Sequence, residues 1–215
     1  MGSARMRLSA GFGALLCVVA VALLINLYTL ASVERATQKV SDRQRIRNQA
    51  YRITEICERM YARQSKFIQG EESEEEYILK AEKDVGEIRA SFRSVNALPL
   101  EPNEKRALYN LSVKVYGLED IIRVQVVTVR AQVLSGSLPP VELKRLAARA
   151  SDMLQETRRY NSNLIAIMDR TTYETELEAG EAWEKSRTIA WCTLAVGLAF
   201  GALTVFLTHR AIMRP

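Results

Sequence analysis

Four sets of residues in this sequence have types and spacing that could do chemistry. Arg59 and Arg63 stand four apart, and guanidinium groups suit carboxylates because they bind them bidentately. Glu71, Glu72, Glu74, Glu75 and Glu76 form an acidic run that could attract a cation. Cys17, Cys57 and Cys192 are the only thiols, and His209 is the only imidazole. Each set also has a plainer reading. Arginines occur all along the stretch that holds Arg59 and Arg63, as on a solvated helix face. Carboxylates without histidine or a binding-loop geometry read as an acidic helix start, where they complement the dipole. Cys17 and Cys192 lie in apolar runs, where a thiol behaves as a small hydrophobe. Cys57 reads either as a buried core residue or as an intersubunit crosslink. His209 sits beside Arg210 after a long apolar run, as a basic anchor does. With no phosphate-binding glycine loop, no CxxC pair and no histidine cluster, the expectation is a chain that is not an enzyme and needs no metal or cofactor.

These residues are positioned by a strongly segregated sequence. All 25 Asp and Glu lie between Ser32 and Arg187, and so do all Lys and Arg except Arg5, Arg7, Arg210 and Arg214. The middle of the chain is therefore nearly neutral, and the formal net charge of +5 belongs mostly to the ends. That distribution excludes the basic surface of a nucleic-acid-binding domain.

The ends are apolar. Leu8–Ala31, about 24 residues, and Thr188–Thr208, about 21, each match the roughly 30 Å hydrocarbon thickness of a bilayer when helical. Thr29-Leu30-Ala31 resembles a weak cleavage site, yet the first run exceeds the h-region of a signal peptide and reads as an uncleaved anchor. Basic residues on the outer flank of each span predict both termini in the cytoplasm and the middle exported. Tyr28, Trp183 and Trp191 fall near the exported ends, where amphipathic rings favour the interface. The expected organisation is a cytoplasmic N-terminus (1–7), a first span (8–31), an exported domain (32–187), a second span (188–208) and a cytoplasmic segment (209–215).

Between the spans the periodicity is helical throughout. A first helix is predicted from Ser32 to about Gln69, with Ile46, Ala50, Ile53, Cys57, Met60, Gln64 and Phe67 on its inner face and Gly70 as its stop. Ser73 and Glu76 predict a capping box for a second helix carrying Ile78, Ala81, Val85, Ile88, Phe92 and Val95. Pro99 and Pro102 break the chain, and Pro102 opens a third helix with Leu108, Leu111, Val115, Leu118, Ile122, Val126, Val129 and Val133 inward. The β-branched stretch Ile121–Val129 favours a strand by propensity, and packing is expected to keep it α-helical. After Pro140 a fourth helix runs unbroken into the second span, with Leu143, Leu146, Ala150, Met153, Thr157, Tyr160, Leu164, Ile167 and Thr171 inward and Gly180 its one soft spot. The predicted fold is all-α: an antiparallel up-down four-helix bundle flanked by two transmembrane helices continuous with its first and last helices. Its exposed faces leave room for a homodimer along the first helix.

Basic N-terminus, span, exported bundle, span and the closing Arg210-Ala211-Ile212-Met213-Arg214-Pro215 together resemble bacterial transmembrane sensors, above all the methyl-accepting chemotaxis receptors. Leu8-Ser9-Ala10-Gly11-Phe12-Gly13 is similar to the opening of the first span in that family, and Arg214-Pro215 to the entry of a HAMP linker. Sensor histidine kinases, cyclic-dinucleotide synthases and CHASE3-type modules share this front end. A free-standing structural membrane coiled coil is the other reading of the same pattern. The resemblance implies an inner-membrane receptor region that binds a small molecule or a periplasmic binding protein near the bundle tip. A small shift of the last helix would then pass to a cytoplasmic output domain and its signalling partners, and the chain looks like the input half of such a machine. The aspartate-sensing members hold their ligand with arginines of the first helix and polar groups of the last, which points to Arg59, Arg63, Thr157 and Tyr160 as ligand residues. The fuller arginine pattern of those members is not reproduced here. Gly180, Arg210, Arg214 and Pro215 fall where that family transmits its signal.

Overall fold

Glycine and proline decide where this chain can turn. The computed structural model describes residues 2–213; the side chains of residues 2–12, 14, 15, 18, 207–209 and 211–213 fall outside that description. The described residues form helix α1 (Gly2–Gln69), α2 (Glu74–Asn96), α3 (Pro102–Asp120), a π-helical turn (Ile121–Gln125), α4 (Val126–Leu134) and α5 (Val141–Met213). Among them there is no strand.

The breaks follow from local chemistry. Gly70 adopts φ +82°, and the Gly70 and Glu71 N–H groups donate to the Phe67 and Lys66 carbonyls, closing α1 in a Schellman motif. Gly136, at φ +75°, ends α4 in the same way, with its N–H on the Val133 carbonyl and that of Ser137 on Gln132. Ser73 caps α2, its Oγ accepting from the Glu76 N–H at 3.3 Å. Only half of the expected capping box forms, because the Glu76 carboxylate accepts from Lys80, one turn on, at 2.5 Å. The reaching-back contact occurs instead at α3, where Glu104 accepts from the Glu101 N–H at 2.7 Å and Pro102 opens the helix.

The chain divides into two compact units, Met1–Val40 with Tyr173–Pro215, and Ser41–Thr172. In the second unit one apolar cluster draws on all five helices and the π turn, centred on Ile46, Ile53, Ile88, Leu111, Ile122 and Leu164, each at most 1% exposed. The predicted inner face of α1 is buried from Ile46 to Phe67.

Two expectations need correction here. The third helix is not one α-helix: within the β-branched stretch the Val126 N–H reaches back five residues to the Ile121 carbonyl. The wider π turn accommodates an extra residue, so that neighbouring Ile121 and Ile122 are both buried. Val129 and Val133, beyond it, are half-buried. On α5 the inner row runs Leu143, Leu146, Ala150, Leu154, Thr157, Asn161, Leu164, Met168, whereas Met153, Tyr160 and Ile167 are half-buried. A strict 3.5-residue repeat drifts against the 3.6-residue helix, and a second consecutive four-residue step at Leu154 takes up the drift.

The other unit holds the apolar ends. Two helices are long and apolar enough to cross a membrane, Val19–Gln69 and Val141–Phe206 among the described residues, and none of either apolar window is buried within the protein. Leu23, Leu27, Leu194, Leu198 and Phe206 all stand more than half exposed.

Two glycine substitutions test this account of the backbone. Gly70→Ala forces a β-carbon onto a left-handed residue and should cost about 1–2 kcal/mol. Gly180 lies inside α5 with open space where a β-carbon would go, so Gly180→Ala should add about 1 kcal/mol of helix stability. Thermal unfolding by circular dichroism reads both, and a stabilising Gly70→Ala would sink the cap assignment.

Candidate functional site

The arginine pair singled out by its spacing points at another helix of the same chain. Arg59 and Arg63 lie one turn apart on α1 and converge on Asp84 of α2. Asp84 Oδ1 accepts from Arg59 Nε at 3.0 Å and Nη2 at 2.6 Å, and Oδ2 accepts from Arg63 Nη1 at 2.5 Å. Arg63 Nη1 also donates to the Lys80 carbonyl at 3.2 Å, and Arg59 Nη2 to Glu87 Oε2 at 3.2 Å. The Asp84 side chain is 1% exposed, while those of Arg59 and Arg63 keep 37% and 25% of their surface. Each carboxylate oxygen thus meets its own guanidinium, which is how a buried charge avoids an uncompensated desolvation cost. The bond to Asp84 also raises the Arg59 pKa above its ordinary value, against the opposing effect of burial.

A second clamp ties α1 to the start of α3. Arg43, 3% exposed, places Nε 2.6 Å from Glu104 Oε1, donates through Nη1 to the Pro99 carbonyl at 3.0 Å, and sets Nη2 3.4 Å from Glu101. Glu104 is fully buried. Beyond the Asp84 clamp, towards the C-terminal end of α1, lies a three-tier stack. Arg130 of α4 covers the Phe67 ring at 4.0 Å, and Phe67 stacks on Tyr77 of α2 at 4.2 Å. The Tyr77 hydroxyl then donates to the Ile122 carbonyl, inside the π turn, at 2.7 Å.

The remaining sequence-predicted residues turn to different partners. Thr157 is buried, and its hydroxyl donates to the Met153 carbonyl of its own helix at 2.9 Å. Tyr160 lies beneath Lys114 of α3, whose ammonium is 5.6 Å from the ring centroid and 2.7 Å from Glu156. Arg59 and Arg63 therefore face α2, whereas Tyr160 faces α3. Glu58–Arg158 and Arg47–Asp169 are ion pairs between α1 and α5. Gly180 lies within α5 and Arg210 is exposed near its end; Arg214 and Pro215 lie outside the described residues. Cys57 is 1% exposed in the core, and burial, then the charges of Glu58 and Asp84, push its thiol up to about 12. Among the described residues no group of three His, Cys, Asp or Glu is arranged to hold a metal ion.

Sequence reasoning missed Asp84, Tyr77 and Glu104. The signal was present: Tyr77, Ala81, Asp84, Ile88, Ser91 and Val95 alternate by fours and threes on α2, which puts a carboxylate on an inner row opposite two arginines. Glu104 likewise heads the row Leu108, Leu111, Val115 and Leu118 on α3. Chemically, the cluster can bind a carboxylate, and the carboxylate it holds is its own. Comparison with protein-family models, curated proteins and solved structures finds no match to this chain.

The clamp should be asymmetric. Removing both guanidiniums with Arg59→Ala and Arg63→Ala strands Asp84 in the core, a loss of about 3–5 kcal/mol. Asp84→Asn leaves two arginines that can turn to water and should cost about 1–2 kcal/mol. Equal losses in chemical unfolding would contradict this. The folded Cys57 thiol also holds its proton above the unfolded pKa of 9.0, so it contributes stability that is present below pH 9 and is lost as pH rises towards 12. Cys57→Ala should flatten that alkaline decline in melting temperature, and an unchanged slope would assign it elsewhere.

Proposed function

We propose that this chain is the sensor and transmembrane region of a signal-transduction receptor, of the methyl-accepting chemotaxis kind that its layout resembles. Residues 8–31 and 188–208 cross a bacterial inner membrane with both termini cytoplasmic, and residues 32–187 form the exported sensor domain. The observation that carries this reading is that α1 and α5, which supply core residues from Ile46 to Phe67 and from Leu143 to Met168, also carry the two apolar stretches left unburied. An apolar surface of that length needs another apolar medium, and a bilayer supplies it.

In this proposal α1, α2, α3 with α4, and α5 make an antiparallel up-down four-helix bundle. The order of contacts along three of its seams supports it. Arg47–Asp169 and Glu58–Arg158 run in opposite chain directions, as do Arg89–Glu119 and Phe92–Tyr116. Arg59–Asp84 and Phe67–Tyr77 do the same between α1 and α2.

The proposed role is binding and transmission, without a chemical step. A small-molecule ligand or a periplasmic binding protein engages the domain, as a homodimer. The ligand shifts α5 against α1, and the shift reaches cytoplasmic signalling partners through the second span. A coupling of about 1–3 kcal/mol is the usual scale of such a linkage. A ligand carboxylate that reaches Arg59 and Arg63 competes with Asp84, which makes the clamp a two-state element for a ligand to bias.

Single-cysteine variants in a background with the native cysteines replaced test the topology. A membrane-impermeant maleimide should label Glu75→Cys in intact cells with the outer envelope permeabilised, and should label Ser3→Cys only after the inner membrane is opened. Equal labelling would reject the two-span topology. Some amino acid or organic acid should raise the melting temperature of the full chain in lipid nanodiscs; correct topology with no such ligand would favour the structural coiled coil.

A further inference from the structure

The membrane-proximal unit contains a cleft of about 430 Å³ with a marked division of character. Leu23 and Leu27 of α1 supply an apolar wall, and both are more than half exposed. Around the same cleft stand Asn26 of α1 and Trp183, Ser186 and Arg187 of α5. Each of these four carries a hydrogen-bond donor: a carboxamide, an indole N–H, a hydroxyl and a guanidinium. Among the described residues, none of the four has a hydrogen-bond or ion-pair partner within the protein.

Asn26 lies inside the first apolar run, and Ser186 and Arg187 immediately precede the second. Under the proposed topology, on which this inference rests, the cleft lies where hydrocarbon gives way to headgroups on the exported side. There an exposed donor stands within reach of headgroup oxygens. The donors suit an anionic acceptor with several oxygens, and the apolar wall suits hydrocarbon. One molecule present at that depth has both. We propose that the cleft is a binding site for an anionic phospholipid of the surrounding leaflet, with its phosphate on Arg187 and Asn26 and an acyl chain along Leu23 and Leu27. A guanidinium binds phosphate in a bidentate fork, which the carboxamide and hydroxyl can extend. Trp183 suits the same boundary, its ring apolar and its N–H polar.

The charge placement supports this choice. The exported ends of membrane spans are ordinarily poor in basic residues. Arg187 nevertheless stands at that edge, one residue before the apolar run, with no carboxylate paired to it. A phosphate in the cleft supplies the missing counter-charge.

Native mass spectrometry of the full chain in dodecyl maltoside tests the proposal, with dioctanoyl phosphatidylglycerol, dioctanoyl phosphatidylcholine and glycerol phosphate as probes. The wild-type chain should bind phosphatidylglycerol in preference to phosphatidylcholine, and glycerol phosphate alone should not bind. Arg187→Gln should weaken phosphatidylglycerol by about tenfold, the scale of one lost charge-assisted hydrogen bond, and Arg187→Lys should recover part of it. Asn26→Leu, which suits a span at least as well as asparagine, should weaken binding without lowering the melting temperature. Equal binding by wild type, Arg187→Gln and Asn26→Leu overturns the site, as does indifference between the two lipids. Binding of glycerol phosphate as tight as that of the lipid overturns the phospholipid assignment. A chain that stays monodisperse without detergent removes the membrane reading itself, whereas a detergent-dependent chain with variant-insensitive lipid binding removes only the cleft.

Discussion

A carboxylate in an apolar core needs positive donors within reach, and the two most deeply buried carboxylates among the described residues, Asp84 and Glu104, both have them. Asp84 meets Arg59 and Arg63, and Glu104 meets Arg43. All three arginines belong to α1, so the need to neutralise these carboxylates fixes how α1 lies against both α2 and α3. Apolar contacts alone tolerate sliding, because one aliphatic layer resembles the next. The Asp84 cluster, with three directed hydrogen bonds from two arginines, does not, and Arg43 adds a bond to the Pro99 carbonyl beside its charge contact with Glu104. The core supplies most of the driving force for folding, and the buried charges select one register from those the core would accept.

That division of labour runs through the whole chain. In Ser41–Thr172 the apolar rows face inward and the charged faces outward, as in any water-soluble helical domain. Within Met1–Val40 and Tyr173–Pro215 the same two helices carry the uncharged runs Leu8–Ala31 and Thr188–Thr208, where leucine, valine and phenylalanine stand uncovered among the described side chains. Each of these two long helices thus has a buried apolar stretch and an uncovered one. The proposed receptor function uses that property, because it needs a helix that supplies both a core row and an apolar span.

Much of this was legible in the sequence. The row from Ile46 to Phe67, the stop at Gly70, the cap at Ser73 and the helix start at Pro102 all follow from spacing and from what glycine, serine and proline do to a backbone. The half-buried state of Tyr160, and Asn161 in its place, were not legible. The choice between two rows one residue apart depends on accumulated drift along a helix, which a local repeat does not record. The π turn was hidden for a related reason: β-branched propensity announced a conflict with regular α-helix, but only the demand to bury both Ile121 and Ile122 decided its form. The arginine pair was visible as chemistry. Its partner was not, because Asp84 lies on another helix and a contact between helices leaves no spacing to count.

The Tyr77 hydroxyl and the Ile122 carbonyl join two helices at the point where one of them departs from regularity. Each residue of an α-helix turns the chain by about 100°, so a π turn, which fits one more residue into its hydrogen-bonded ring, changes the phase of everything after it. The stretch from Pro102 to Leu134 is thus two helices out of step with each other, and the wide turn between them works as a spacer tooth in a gear. It lets α3 present Leu108–Leu118 and α4 present Val126 to the same core, with neighbouring Ile121 and Ile122 both buried between them. Viewed this way, the tyrosine is a detent that holds the phase where it is.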